Sequence, residues 1–74
     1  MNNENVFFNP GDAISSSHDF KEARRSAQIY KQQEGTEKQL VIAKNSKNGI
    51  YAIYYADDAK PKGTGAPHEL KDKL

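Results

Sequence analysis

The chain contains no cysteine, which excludes disulfides and thiolate metal sites and fits a cytoplasmic protein. It also lacks any apolar run near the ~18 residues that a membrane-spanning helix needs, so we expect no membrane segment. The amino-terminal residues have neither the basic start nor the apolar stretch of a signal peptide. These absences predict a small soluble protein of the cytoplasm.

An excess of charge of one sign is also missing. The net charge is +1, although 28% of the 74 residues are charged, which is unlike a strongly basic nucleic-acid binder. A chain this short buries only about 60% of its unfolded surface, so its stability is marginal. Without disulfides or thiolate-bound metals, good packing or self-association must supply the difference.

The segment QLVIAKNSKNGIYAIYYA, residues 39–56, predicts a β-hairpin. Two apolar runs flank an Asn-Gly dipeptide, which is a strong turn signal. A two-residue turn would pair Ile42 with Tyr55, whereas a four-residue loop would pair Ile42 with Ile53. We favour the four-residue loop because it matches large apolar side chains across the strands.

Both faces of this hairpin are apolar. Strand alternation puts Leu40, Ile42, Tyr51, Ile53 and Tyr55 on one face and Val41, Ala43, Ile50, Ala52, Tyr54 and Ala56 on the other. A sheet with one wet side would alternate apolar and polar residues, so we expect both sides of this hairpin to contact protein.

A single helix is predicted before the hairpin. It begins between Ser16 and Asp19, where several side chains can cap it, and it runs to about Glu34 before Gly35. The sheet-facing stripe of this helix consists of Phe20, Ala23, Ala27 and Tyr30. The small residues of the stripe allow close packing on a sheet, and Ile29 is left exposed.

The two ends of the chain are predicted differently. Residues 6–8 form a short strand that joins the hairpin as a third strand, and the following Pro10-Gly11 pair is typical of a type II turn. Residues 59–74 are rich in proline and glycine and predict a flexible tail. We therefore expect one α+β domain over residues 1–58, in the order strand, helix, strand, strand.

No catalytic, cofactor-binding or metal-binding residue is predicted. Ser17, His18 and Asp19 are the residue types of a hydrolytic triad, but triads are assembled from separated elements, so helix capping is favoured. His18 and His68 lack metal-ligand spacing, and we expect both to be solvated.

Two further candidates for chemistry also fail. The pair Asp57-Asp58 has no second acidic cluster with which to form an acid–base site. The glycine loop at 63–65 lacks the third glycine of a dinucleotide fingerprint and the Gly-Lys-Ser/Thr order of a phosphate loop. Since no reactive set converges, we do not expect an enzyme.

A binding surface is the remaining expectation, because tyrosine and arginine dominate protein–protein hot spots. The candidate partner-binding residues are Lys21, Arg24, Arg25, Lys31, Lys47, Tyr51, Tyr54 and Tyr55. They favour a non-enzymatic protein-binding module, an inhibitor or a regulator. The alternative is a nucleic-acid-binding protein that uses Arg24, Arg25, Lys31 and Lys47, whose binding would weaken steeply with salt. A structural subunit, with the tail ordered on a neighbour, is a third possibility.

One family resemblance rests on the order of these elements: a short strand, a Phe20-x-x-Ala23-x-x-x-Ala27 helix behind a serine cluster, and a hairpin turning at Asn48-Gly49. Over about residues 5–58 this outline resembles small phage-encoded inhibitors of bacterial defence, including certain anti-CRISPR proteins. The resemblance implies one helix on a small antiparallel sheet and binding to a nuclease complex without catalysis. It transfers no functional residue.

Since one helix covers only one of two apolar hairpin faces, we predict a homodimer. Size-exclusion chromatography with light scattering at tens of micromolar tests this, and a monomer at that concentration would contradict it.

Overall fold

The computed structural model describes residues 5–35 and 37–74, which form one helix on a five-stranded sheet. The elements are β1 (Asn5–Phe8), β2 (Ser15–Ser17), α1 (Phe20–Glu34), β3 (Leu40–Asn45), β4 (Tyr51–Tyr55) and β5 (Ala66–Lys73). The sheet order is β1-β5-β3-β4-β2, and every neighbouring pair is antiparallel. The predicted α+β class, one helix on an antiparallel sheet, is confirmed.

The helix has the predicted bounds because both of its ends are capped. The Asp19 carboxylate accepts a hydrogen bond from the Lys21 backbone N–H at 3.3 Å, and the Gly35 N–H donates to the Lys31 carbonyl at 3.0 Å. These bonds satisfy backbone groups that a helix end leaves unpaired. Ala23 and Ala27 are buried against the sheet, as the stripe predicts.

The hairpin has the predicted four-residue register, with Ile42 opposite Ile53 and Leu40 opposite Tyr55. Its two faces lie in two separate core clusters. The helix covers the first cluster, whose buried members are Ala23, Ala27, Leu40, Ile42 and Ile53. The second contains Phe8, Val41, Ala43, Ala52 and Tyr54 as its buried members.

The predicted tail was wrong, because its residues form β5 between β1 and β3. The expectation that β1 joins the hairpin directly was wrong for the same reason, since β1 pairs with β5. Proline in an interior strand normally argues against a strand. The Pro67 carbonyl accepts a hydrogen bond from the Ser46 N–H at 3.0 Å. Since the nitrogen and the carbonyl of a strand residue point the same way, the Pro67 nitrogen also points just past the end of β3. The proline therefore breaks no hydrogen bond of the ladder.

A β-bulge allows β5 to serve both faces of the sheet. Ala43 lies opposite Leu70, but Ile42 lies opposite Asp72, so Lys71 is an extra residue. Such an insertion reverses the alternation of side chains beyond it. Leu70 therefore packs on the second cluster, while Leu74 packs on the cluster under the helix.

The second hairpin face is closed by β1 rather than by another molecule. The rings of Phe8 and Tyr54 stack with centroids 4.2 Å apart and planes inclined by 4°. In a flat sheet β1 and β4 would be about 14 Å apart, at three strand spacings, so the sheet must curl strongly. Both faces contact protein, as expected, but within one chain. The homodimer stays a prediction. The reason given for it, an uncovered apolar face of the hairpin, no longer holds.

One local expectation before the helix was also wrong, and one strand there was not predicted. Pro10–Asp12 is a short 3-10 helix rather than a type II turn, because the Asn9 side chain accepts from the Gly11 N–H at 3.0 Å and caps it. The serines at 15–17 form the short edge strand β2, paired with β4. Short polar edge strands resist pairing with other chains, and their composition resembles that of a helix cap.

Glycine substitutions test the placement of β5. Gly63 and Gly65 both have positive φ, of 88° and 78°, so alanine at either position costs about 1–2 kcal/mol of unfolding free energy. A Cβ at position 65 would also lie 2.7 Å from the Phe8 carbonyl oxygen, whereas none lies within 4 Å at position 63. In chemical denaturation we expect Gly65→Ala to destabilise the protein more than its matched control Gly63→Ala. If both substitutions leave the unfolding free energy nearly unchanged, the placement of β5 is contradicted and the prediction of a flexible tail is favoured.

Candidate interaction surface on the helix

The predicted basic residues of α1 lie on its outer side. Lys21, Arg24 and Arg25 are exposed, and Lys31 is half-buried. Arg24 is oriented by Asp72 of β5, with its Nε 2.9 Å from the carboxylate. Lys47 is also exposed, but it lies in the loop between β3 and β4. It is therefore not part of the basic side of α1.

Two of the predicted tyrosines belong to the packing between helix and sheet. Tyr51 is half-buried and meets Phe20 edge to face, with ring centroids 5.6 Å apart. Near the other end of the helix, the hydroxyls of Tyr55 and Tyr30 are 2.6 Å apart. Tyr51 and Tyr55 therefore hold the helix against the sheet, and both are half-buried.

The placement of Tyr54 on a contact surface was wrong, since it is only 1% exposed. Its hydroxyl lies 3.0 Å from Nε2 of His68, whose Nδ1 lies 2.8 Å from the Ala66 carbonyl. Because a carbonyl only accepts, Nδ1 donates to Ala66, and the hydrogen bond between Nε2 and the Tyr54 hydroxyl is the ring's second. Burial, and then the Asp12 carboxylate, raise the pKa of Tyr54.

His68 was expected to be solvated, which was also wrong, because it is 0% exposed. Both ring nitrogens have partners, and its ring packs edge-on against Phe8 and Tyr54. A fully satisfied polar pair that solvent does not reach contributes to a specific core. We therefore assign His68 and Tyr54 a structural role.

Ile29 is the feature that distinguishes the outer face of the helix. It is 42% exposed, and it is the one exposed large hydrophobic residue in the described part of the chain. It lies between two open depressions. The larger, of about 710 Å³, is lined by Arg25, Gln28, Ile29, Lys31, Gln32 and Leu74. The smaller, of about 280 Å³, is lined by Ile14, Ser15, Ser26, Ile29, Tyr30 and Gln33.

Sequence reasoning missed two residues beside this surface, Asp72 and Leu74, because it assigned them to a tail. Leu70 and Leu74 could have indicated that this segment packs on the core, since a solvated tail is poor in large apolar residues. Their even spacing would place both on one face of a regular strand, whereas the bulge places them on opposite faces.

The serine, histidine and aspartate at 17–19 act as a helix start. Ser17 Oγ accepts from the Asp19 N–H at 3.0 Å and lies 3.0 Å from the Glu22 carboxylate, to which it donates, while His18 is exposed. Over residues 5–35 and 37–74, no three His, Cys, Asp or Glu side chains are grouped so that they could hold a metal. No helix in those ranges is long and apolar enough to cross a membrane.

The tyrosine pair at the helix end predicts a pH effect. The hydrogen bond to Tyr55 is the main cause that raises the pKa of Tyr30 from 10.0 to about 12. Because the folded protein keeps this proton longer than the unfolded chain, the contribution to stability is complete below pH 10 and is lost as the pH rises toward 12. Tyr55→Phe should lower the pKa of Tyr30, measured by tyrosinate absorbance. Tyr51→Phe is the control, and an unchanged Tyr30 titration in Tyr55→Phe would contradict the assignment.

No protein-family model, curated protein sequence or solved structure matches this chain. The surface on α1 is therefore defined by its own geometry and not by a relative.

Proposed function

We propose that this protein is a non-enzymatic binding module that acts by protein–protein contact through the outer face of α1. The observation that carries the proposal is the exposure of Ile29 at the middle of that face. Among the other described residues, every large apolar side chain is buried or half-buried. Interface centres are depleted of charged residues but enriched in arginine, and here an exposed apolar residue lies beside Arg25.

The more specific form of the proposal is an inhibitor of a bacterial defence complex, or a regulator. It comes from the resemblance to small phage-encoded inhibitors, including certain anti-CRISPR proteins, whose partner would be a nuclease complex. That resemblance covers an outline of residues 5–58 and does not include β5. The surface on α1 does not depend on it, since Ile29 and its neighbours define the face directly.

Capture of partners with an Ile29→Gln variant tests the contact surface. Glutamine keeps helix propensity and adds no charge, so the fold should be unchanged. We expect the affinity for a protein partner captured from source-cell lysate to fall about tenfold, because a central apolar contact is typically worth more than 1 kcal/mol. Thr64→Gln, at an exposed loop position, is the control and should bind normally.

The same capture separates the two macromolecule classes when one half of the lysate is treated with nuclease. A stoichiometric protein that survives treatment and is weakened by Ile29→Gln supports the proposal. If protein partners vanish after treatment and nucleic acid is retained in the untreated half, the nucleic-acid-binding alternative is correct instead.

A further inference from the structure

The surface of α1 is divided by charge. On the outer side and the flank toward β5 lie four basic residues and two glutamines, namely Lys21, Arg24, Arg25, Gln28, Lys31 and Gln32. Spacings of three and four residues place them in neighbouring rows of the helix. The acidic residues of α1 lie in other rows: Glu22 in the row of Ile29, and Glu34 in the row that begins with Ala23.

The nearest acidic groups do not neutralise this basic side. The Glu22 carboxylate is turned toward β2, where it accepts from Ser17 Oγ at 3.0 Å. Asp72 pairs with Arg24 alone, at 2.9 Å. Within residues 5–35 and 37–74, the side chains of Lys21, Arg25 and Lys31 make no ion pair. Over the described part of the chain, these three cations thus lie on a packed helix without a partner in an ion pair.

The cations border the same depression as the exposed apolar residue. Arg25, Lys31 and Ile29 all line the larger depression, with Leu74 at its edge. Arg25 lies one turn before Ile29, so the charge and the apolar contact would meet one partner surface together. Charges at the rim of an apolar contact select a partner of opposite charge and speed its approach.

We infer that the partner of α1 is a protein surface that presents carboxylates beside an apolar residue. This inference rests on the proposed function and specifies its partner. A second copy of the chain fits less well, because a two-fold contact uses the same patch on both copies and would bring two basic patches together. A nucleic-acid duplex fits less well, because phosphate contacts are made by cations, whereas here an exposed isoleucine lines the same depression as Arg25 and Lys31.

Three probes test the chemistry of the partner by nuclear magnetic resonance titration of the isotope-labelled protein at near-physiological salt. The first is a helical peptide with a row of glutamates beside a row of leucines. The second is its twin with lysine in place of each glutamate. The third is a random-sequence DNA duplex. We expect the acidic peptide to shift the amide resonances of α1 and to bind at least about tenfold more tightly than its basic twin.

Charge-reversal variants locate the effect. Lys21→Glu, Arg25→Glu and Lys31→Glu together should raise the dissociation constant of the acidic peptide by about tenfold or more. The matched control reverses three exposed lysines outside α1, Lys62, Lys71 and Lys73. It changes the net charge equally and should leave binding almost unchanged. If the first variant folds poorly, its glutamine equivalents at the same positions replace it.

The outcomes separate this inference from the proposed function. Preference for the acidic peptide, lost only with the reversal on α1, supports the inference. Tighter binding of DNA than of the acidic peptide, no shift of α1 resonances, or an equal loss in the control overturns it. The Ile29→Gln capture experiment is independent of these results. If Ile29→Gln captures the protein partner as well as the unchanged protein does, the proposed function itself is overturned.

Discussion

The stack of Phe8 on Tyr54 is the contact on which the rest of the fold depends. The two residues belong to strands separated by β5 and β3, yet their rings are 4.2 Å apart. The sheet can bring them together only by curling, and the curled face encloses Tyr54, His68 and the second cluster. This short chain without disulfides thereby forms two core clusters instead of one. The second cluster adds buried apolar surface, of which a chain of this length has little.

The bulge in β5 connects these two cores. Before it, His68 and Leu70 face the curled side, and after it, Asp72 and Leu74 face the helix. One strand therefore closes the inner core, orients Arg24 and borders the depression beside Ile29. The last strand is thus part of both the fold and the candidate surface.

Closure of both sheet faces also determines which surface is available to a partner. The hairpin, with its aromatic residues, looks like an interface in the sequence, but the structure packs it inside or beneath the helix. What remains outside is a helix face with one exposed apolar residue and three cations that form no ion pair with any other described residue. The candidate surface is accordingly narrower than the eight predicted residues, since Tyr54 is lost to the core and Lys47 lies in the hairpin loop.

The sequence by itself determined the elements whose causes are local. The helix between Asp19 and Gly35, its alanine stripe, the exposure of Ile29 and the register of the hairpin all follow from caps, periodicity and cross-strand matching over a few residues. Only the tertiary structure decided the position of β5, the strand role of the serines at 15–17 and the burial of His68. Proline, glycine and a bulge hide the pattern of β5, and its pairing with β1 and β3 joins residues distant in sequence, which no local pattern records.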